Sequence, residues 1–284
     1  MPDTNPENRT LADLRRRLDS IDDRILDLLA ERARAMDEVR AAKQAADGAA
    51  PKLARPGREQ SILRRLIGRI KGPLPPSLVV RIWRDVMTSF TRLQGPFAVA
   101  VLKGDDVPPV MAMARQHYGQ STPLLAATSP GQVLARLSDG RAQLALLPSP
   151  EDAPALDWWR NLDPSGLQVL ARLPVDGTGK EPGALVVGRQ AFEESGEDRG
   201  LLVVAPAEDT SRAKLARAFA AAGIGLAGII AETERGGRST FLVVLDAYVP
   251  PGDARLAALA DAGLNVRVAG GYAVPLGLAA PNGA

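Results

Sequence analysis

Apolar residues recur along the first fifty positions at steps of four and three, the spacing of one face of an amphipathic helix. This apolar seam consists of Leu14, Leu18, Ile21, Ile25 and Leu28. The pattern predicts a helix over residues 11–46, about 50 Å long at roughly 1.5 Å per residue. Such a helix is too long for a compact domain to cover by itself, so we expect it to pair with another chain.

The same rhythm continues through Arg32, Met36, Val39 and Lys43. Two cations therefore occupy positions that the pattern reserves for buried apolar side chains. Burying an unpaired cation is costly. Either the seam ends before Arg32 or an anionic group meets the two cations.

Two further helices follow a segment that Gly and Pro interrupt. The second is predicted from about Arg58 to Ile70, and the third from about Ser77 to Gln94, where QGP ends it. The apolar face predicted for the third helix consists of Val79, Trp83, Val86, Phe90 and Leu93. The front of the chain is therefore three helices without a strand.

After Gly95 the pattern changes to alternating strands and helices, beginning with FAVAVL and including QLALLPSP and ALVVGR. This alternation indicates a small α/β layer. From Asp198 the order is βαββαβ, the split βαβ arrangement. The fold class is multidomain, with a helical domain over 1–95, an α/β region over 96–197 and a βαββαβ domain over 198–284.

The amino-acid composition excludes several classes of catalytic chemistry. The chain has no cysteine and one histidine, His117, which excludes disulfides and thiolate nucleophiles and leaves little for a zinc centre. Residues 1–95 hold 19 Lys/Arg against 13 Asp/Glu, and the remainder holds 16 against 20. A basic front suits anionic ligands, and nucleic acid is the weaker choice because the cations lie inside a helical seam. No apolar run approaches the roughly 20 residues that span a bilayer, so we expect a cytoplasmic protein with no membrane partner.

The stretches LRRRLDSIDDRILDLLAERARAMDEVRAAK, REQSILRRL and RIWRDVMTSFTRLQ are similar to the all-helical class of chorismate mutase over about residues 11–94. The resemblance implies an intertwined homodimer that converts chorismate to prephenate in aromatic amino-acid biosynthesis. This pericyclic rearrangement needs neither a nucleophile nor a proton transfer, so no cofactor and no metal is expected. The protein must hold a folded conformer and stabilise charge that develops on the ether oxygen.

Three cations of the first helix match the family's site. Arg15 resembles the arginine that reaches the site from the partner chain, and Arg32 and Lys43 resemble the cations that bind the substrate carboxylates. Arg32 and Lys43 are eleven residues apart, about three helical turns, so both face the same side. The resemblance implies that the seam continues through them and meets substrate there.

The other matches lie in the second and third helices. Glu59 resembles the carboxylate that holds the ring hydroxyl, Gln94 resembles the amide that donates to the ether oxygen, and Arg58 matches the arginine before that glutamate. Glu59 could instead pair with a neighbouring arginine, and Gln94 could cap its helix. Phe90 replaces a hydroxyl residue of the family and Arg55 replaces an acidic one.

Residues 97–276 resemble, more faintly, prephenate dehydratase with its ACT regulatory domain. Only Pro148 remains of one dehydratase motif, with Pro150 and Glu151 at altered positions, and the positions of a second motif are occupied by residues 182–184. We therefore expect no dehydratase activity. The ACT-like domain suggests an amino-acid effector, although AKLA and AETERGG stand where the phenylalanine-binding signatures would be.

Two alternatives remain beside the mutase. Isochorismate pyruvate-lyase activity occurs on the same helical scaffold, and the product, prephenate or pyruvate, separates the two enzymes. A metabolite-binding regulatory protein with a decayed mutase domain is the third hypothesis, and tight binding without turnover would favour it.

Overall fold

The structure is a computed structural model that describes residues 10–47, 54–104, 108–163, 166–208 and 210–278, with the side chains of 43–47 excepted. The chain divides after Pro51 into two compact units. The helices predicted to form one domain over 1–95 are thus distributed over both units, and the domain boundaries at 95/96 and 197/198 stay predictions. None of the described helices combines the length and apolar character that crossing a membrane requires.

The first unit contains one helix, α1 (Leu11–Asp47, 37 residues). Its N-terminus is a capping box, in which the Thr10 backbone N–H donates to Asp13 Oδ2 at 3.1 Å and the Asp13 N–H donates to Thr10 Oγ1 at 3.2 Å. The predicted helix is therefore confirmed almost to the residue. The side chains of the apolar seam are exposed in the single chain, from 39% at Ile21 to 61% at Leu28.

The second unit begins with two helices, α2 (Pro56–Ile67) and α3 (Pro76–Leu93), each with proline at its first position, where a missing N–H costs nothing. The buried face of α3 differs from the predicted one. It consists of Val79, Val80, Arg84, Met87, Thr88 and Thr91. Of the predicted face, only Val79 is buried, and Leu93 is 74% exposed. One helix carries two stripes, and the stripe that packs inside its own chain is the less apolar of the two.

Nine strands of the described chain form one sheet in the order β2-β1-β3-β5-β4-β9-β6-β8-β7. Their bounds are β1 Val99–Leu102, β2 Leu124–Ala127, β3 Leu144–Pro148, β4 Gln168–Leu173, β5 Ala184–Gly188, β6 Asp198–Pro206, β7 Leu226–Arg235, β8 Arg238–Leu245 and β9 Leu264–Ala273. The remaining helices are α4 Val110–Tyr118, α5 Pro130–Ser138, α6 Arg212–Ala221, α7 Ala254–Asp261 and a 3₁₀ turn at Trp158–Asn161. The predicted order of helices followed by a mixed α/β region is confirmed.

Strands β1 to β5 make a layered α/β structure. β1 is parallel to both β2 and β3, whereas β5 is antiparallel to β3 and β4. One apolar cluster joins α2, α3 and α4 to one face of the sheet through side chains such as Leu63, Met87 and Ala114. The other face packs against α5 and the 3₁₀ turn, where Trp158 and Trp159 are buried.

The last six elements give the predicted βαββαβ order, with strands arranged β9-β6-β8-β7. Helices α6 and α7 cover one face through buried side chains such as Phe219 and Leu259. The β7–β8 hairpin turns at Gly236 and Gly237, with φ of 60° and 72°. Both values are those of the two-residue turn whose twist matches a hairpin and which favours glycine.

The two parts of the sheet join where β4 runs parallel to β9, with Val169 opposite Gly270. Gly270 has φ of 102°, and a β carbon there would lie 2.2 Å from the Val169 carbonyl oxygen. Only glycine fits this close approach. The α/β layer and the βαββαβ part are therefore one continuous sheet.

Candidate active site

The three candidates of the first unit lie along α1. Arg15 is exposed, and Arg32 is half-buried with Nη1 3.2 Å from Met36 Sδ. Burial lowers the pKa of the Arg32 guanidinium from its ordinary value. Lys43 lies within the helix, but its side chain is outside the described residues.

The other three candidates lie at helix ends of the second unit. Arg58 and Glu59 are in the first turn of α2, with Arg58 exposed and Glu59 half-buried. Gln94 follows the last residue of α3, and its Nε2 donates to the Phe90 carbonyl at 3.2 Å. In this conformation Gln94 caps its own helix. The convergence of all six residues on one substrate stays a prediction.

Glu59 pairs with a residue that the sequence analysis did not select. Arg84, in the middle of α3, donates from Nη1 to Glu59 Oε2 at 2.5 Å. The Arg84 side chain is 7% exposed and that of Glu59 17%. Removing one partner of a pair this far from water is costly, because the other charge is left buried without compensation.

Arg84 also contacts the single histidine of the chain. Its Nη2 lies against His117 Nε2 on α4, and its Nε donates to the His117 carbonyl at 3.4 Å. Burial, with a smaller contribution from the Arg84 cation, holds the pKa of His117 well below its ordinary value. The adjacent Tyr118 is buried as well, which raises the pKa of its phenol. The cluster Glu59, Arg84 and His117 therefore links α2, α3 and α4.

The sequence contains a pattern that could have identified Arg84 as a buried residue of the site. Val80, Arg84, Met87 and Thr91 follow one another at steps of four, three and four, which is helical spacing. A cation within such a stripe indicates an interior partner, the same argument that the sequence analysis applies to the cations of α1. The sequence analysis selected the more apolar stripe of the same helix as the buried face, so Arg84 was not identified.

A cavity of about 640 Å³ adjoins this cluster. Arg84 and His117 line it, together with exposed Arg81 and residues 173–176. Its volume lies within the range of small-molecule sites. Both side chains already have protein partners, because Arg84 contacts Glu59 as well as His117.

The segments that stand where dehydratase motifs would be are neighbours in the sheet. The Ser149 N–H donates to the Gly183 carbonyl at 2.8 Å, and the Gly183 N–H donates to Asp152 Oδ2 at 2.7 Å. Buried Arg172 donates to Ser149 Oγ at 3.2 Å and to Glu151 Oε2 at 3.4 Å. Within the described residues, no group of three or more His, Asp or Glu side chains could hold a metal ion.

Helix α2 is fastened to the segment that leads into β6. Arg55 Nε donates to Glu193 Oε2 at 3.1 Å, and Arg64 donates to the carbonyls of Glu197 and Val274, both at 2.8 Å. The Ser61 hydroxyl donates to the Ser195 carbonyl at 3.2 Å. The helix that carries Glu59 is thus bound to the entry and the exit of the βαββαβ part.

Residues 14–95 match the family model for chorismate mutase type II. The N-terminal part of the chain is therefore a type II chorismate mutase domain, and the recognition made from the sequence is confirmed. All six candidate residues lie inside the matched segment.

The chain is also similar to bifunctional chorismate mutase/prephenate dehydratases. It is 38% identical to the one from Pseudomonas aeruginosa over 118 residues, which is 40% of this chain and 32% of that protein. It is 40% identical to the one from Stutzerimonas stutzeri over 110 residues, 38% of this chain and 30% of that protein. The chain thus matches about a third of the length of these curated relatives.

Among solved structures, the chain is similar to prephenate dehydratase from Streptococcus mutans, at 16% identity and a TM-score of 0.47, over 62% of this chain and 97% of that one. The prephenate dehydratase from Arthrobacter aurescens gives 16% identity and a TM-score of 0.45, over 64% of this chain and 92% of that one.

Proposed function

We propose that this protein is a chorismate mutase, which converts chorismate to prephenate for aromatic amino-acid biosynthesis. The observation that carries the proposal is the match of residues 14–95 to chorismate mutase type II. That segment contains Arg15, Arg32, Lys43, Glu59 and Gln94 with the residue types that the reaction needs.

The chemistry follows from these residue types. Chorismate is a dianion, and an arginine fork binds both oxygens of a carboxylate at once. In the proposal, Arg32 and Lys43 bind the substrate carboxylates. Glu59 accepts a hydrogen bond from the ring hydroxyl, and Lys43 and Gln94 donate hydrogen bonds to the ether oxygen. Gln94 would exchange its contact with the Phe90 carbonyl for substrate. Removing one well-placed donor of this kind costs about 10²–10³ in rate.

The proposed active form is a homodimer in which the α1 helices pair. The support is the exposure of the apolar seam, including Leu18 at 60% and Ile25 at 51%. Contiguous apolar surface of this kind marks an interaction site. Leu93, at the end of the predicted apolar face of α3, is 74% exposed and offers a second copy further apolar surface.

We further propose that the chain lacks prephenate dehydratase activity, which its bifunctional relatives are named for. The support is the altered motif positions and the engagement of Glu151 with Ser149 and Arg172. The βαββαβ part is proposed as an ACT-like domain that dimerises or senses a ligand, with an amino-acid effector as one candidate. Among the strands of the described residues, β7 is the last of the sheet on its side, and an open edge of this kind can pair with another chain.

A second candidate function, a metabolite-binding regulatory protein, is favoured by one feature. In this conformation Glu59 and Gln94 are both engaged within the protein, with Arg84 and with the Phe90 carbonyl. A decayed site would show such internal contacts and no turnover.

Product identification tests these proposals. The purified protein is incubated with chorismate and, separately, with prephenate, and the products are identified by NMR. Prephenate from chorismate and no phenylpyruvate from prephenate are expected. Phenylpyruvate would contradict the proposed loss of dehydratase activity, pyruvate from isochorismate would favour the lyase, and binding of chorismate without turnover would favour the regulatory protein.

A further inference from the structure

Glu59 has one engaged carboxylate oxygen and one that can still accept. Oε2 receives Nη1 of Arg84 at 2.5 Å. In the part of the chain that the structure describes, Oε1 accepts no hydrogen bond. A carboxylate has lone pairs on both oxygens, so the pair can fix the plane and direction of the carboxylate while Oε1 receives a ligand hydroxyl.

Arg84 is itself held through its other two nitrogens. Its Nη2 contacts His117 Nε2 and its Nε donates to the His117 carbonyl at 3.4 Å. A guanidinium donates and cannot accept. His117 must therefore accept at Nε2, which places the ring proton on Nδ1 and requires a neutral imidazole.

We infer that Arg84 is a positioning residue for Glu59 in the mutase site and that His117, on α4, fixes Arg84. The inference rests on the proposed function. Because His117 lies outside the matched segment 14–95, the appended region supplies part of the structure that orients a mutase residue.

The ion pair between Arg84 and Glu59 orients the Glu59 carboxylate more than it stabilises the fold. The desolvation of two buried charges offsets most of their attraction, so a buried ion pair contributes little net stability. Its geometry, however, is strongly determined, because the fork of Arg84 has separate contacts for Glu59 and for His117. A carboxylate misplaced by about 1 Å in an active site can cost about 10² in rate.

A double-mutant cycle tests the inference. The variants are Arg84→Met, Glu59→Gln and the two combined, with kcat and KM measured for chorismate. The control is Arg81→Met, one turn earlier on the same helix and exposed. Arg84→Met is expected to lower kcat/KM by about tenfold to hundredfold. Arg84→Lys is expected to give a kcat/KM between those of the wild type and Arg84→Met. Arg81→Met is expected to leave kcat/KM unchanged.

The decisive outcome is the behaviour in the Glu59→Gln background. If Arg84 acts through Glu59, Arg84→Met costs little further activity there, because coupled residues are non-additive. Equal losses in both backgrounds would overturn the inference while leaving the mutase intact. The double variant removes both charges and so avoids an unpaired buried carboxylate, and thermal melts confirm that each protein is folded. A folded wild type without turnover would instead overturn the proposed function.

The single histidine provides a second test that needs no turnover. Untagged protein labelled with ¹⁵N-histidine gives one imidazole, that of His117. The expected spectrum is that of a neutral ring with the proton on Nδ1, and the ring should stay neutral through mildly acidic pH. Arg84→Met should move the pKa of His117 toward its ordinary value, whereas Arg81→Met should not. A ring protonated on Nε2, or one that titrates normally in the wild type, would overturn the contact on which the inference depends.

Discussion

Gly57 lies so close to the carbonyl oxygen of Glu193 that a β carbon on Gly57 would be 1.9 Å from it. Gly57 is the second residue of α2, and Glu193 belongs to the segment that leads into β6. This contact, with the Arg55, Ser61 and Arg64 contacts beside it, fixes α2 against the βαββαβ part. The helix that carries Glu59 therefore cannot shift independently of that part.

Gly57→Ala should destabilise the second unit, because the added methyl group would clash with the backbone carbonyl of Glu193, which cannot move aside as a flexible side chain can. Overpacking of this kind typically costs about 1–3 kcal/mol, and we expect the upper part of that range. Denaturant unfolding followed by circular dichroism measures it. The matched control is Gly131→Ala in α5, where nothing lies within 4 Å of the added carbon and alanine should be neutral or slightly stabilising. Equal effects at both positions would contradict the close contact.

His117 should make stability fall in acid. Its pKa in the folded protein lies well below the ordinary value of about 6.5, so below that pH the unfolded chain binds a proton that the folded protein does not. The stabilisation is complete above the unfolded pKa and is lost as pH falls toward the folded one, at up to about 1.4 kcal/mol per pH unit. Arg84 contacts the ring at Nε2, and the Tyr118 ring lies edge-on to it with 4.6 Å between the ring centroids.

The measurement is the free energy of unfolding at several pH values for the wild type and for His117→Gln, whose amide oxygen can still accept from Arg84. The variant should show a flatter dependence between neutral and mildly acidic pH. Parallel curves would contradict a neutral buried histidine.

A charge in the α1 seam should dissociate the proposed homodimer. Ile25→Glu places a carboxylate among side chains that would be buried between two copies, and burying an unpaired charge is costly. Light scattering after gel filtration is expected to give a dimer for the wild type and a monomer for the variant. Arg34→Glu, off the seam, adds the same group and should remain a dimer. A monomeric wild type would contradict the proposed assembly.

The pH dependence of turnover should follow from Gln94. An amide does not titrate, so it should donate to the ether oxygen equally well at neutral and mildly alkaline pH. Initial rates across that range are expected to show little loss. Activity confined to acidic pH would indicate that a protonated carboxylate fills this role.

The long helix was predictable because its periodicity is strong and Thr10 and Asp13 cap its start. Strand β2 was missed because its four residues, Leu124–Ala127, are short and lie at the edge of the sheet. The packing of α3 could not be read from the sequence, since apolar pattern shows a face but not which neighbour covers it. The spacing around Arg84 indicates a buried cation, but it does not show that the partner is Glu59, which lies 25 residues away in sequence.

Lys43→Ala tests most directly whether residues of the helical segment convert chorismate to prephenate. Chorismate consumption is measured for the wild type, Lys43→Ala and Arg40→Ala, a control on the same helix that lies off the seam. We expect prephenate from the wild type, a loss of at least about 10² in kcat/KM for Lys43→Ala and little change for Arg40→Ala. A folded, dimeric wild type that consumes no chorismate, or Lys43→Ala with unchanged turnover, would contradict the claim.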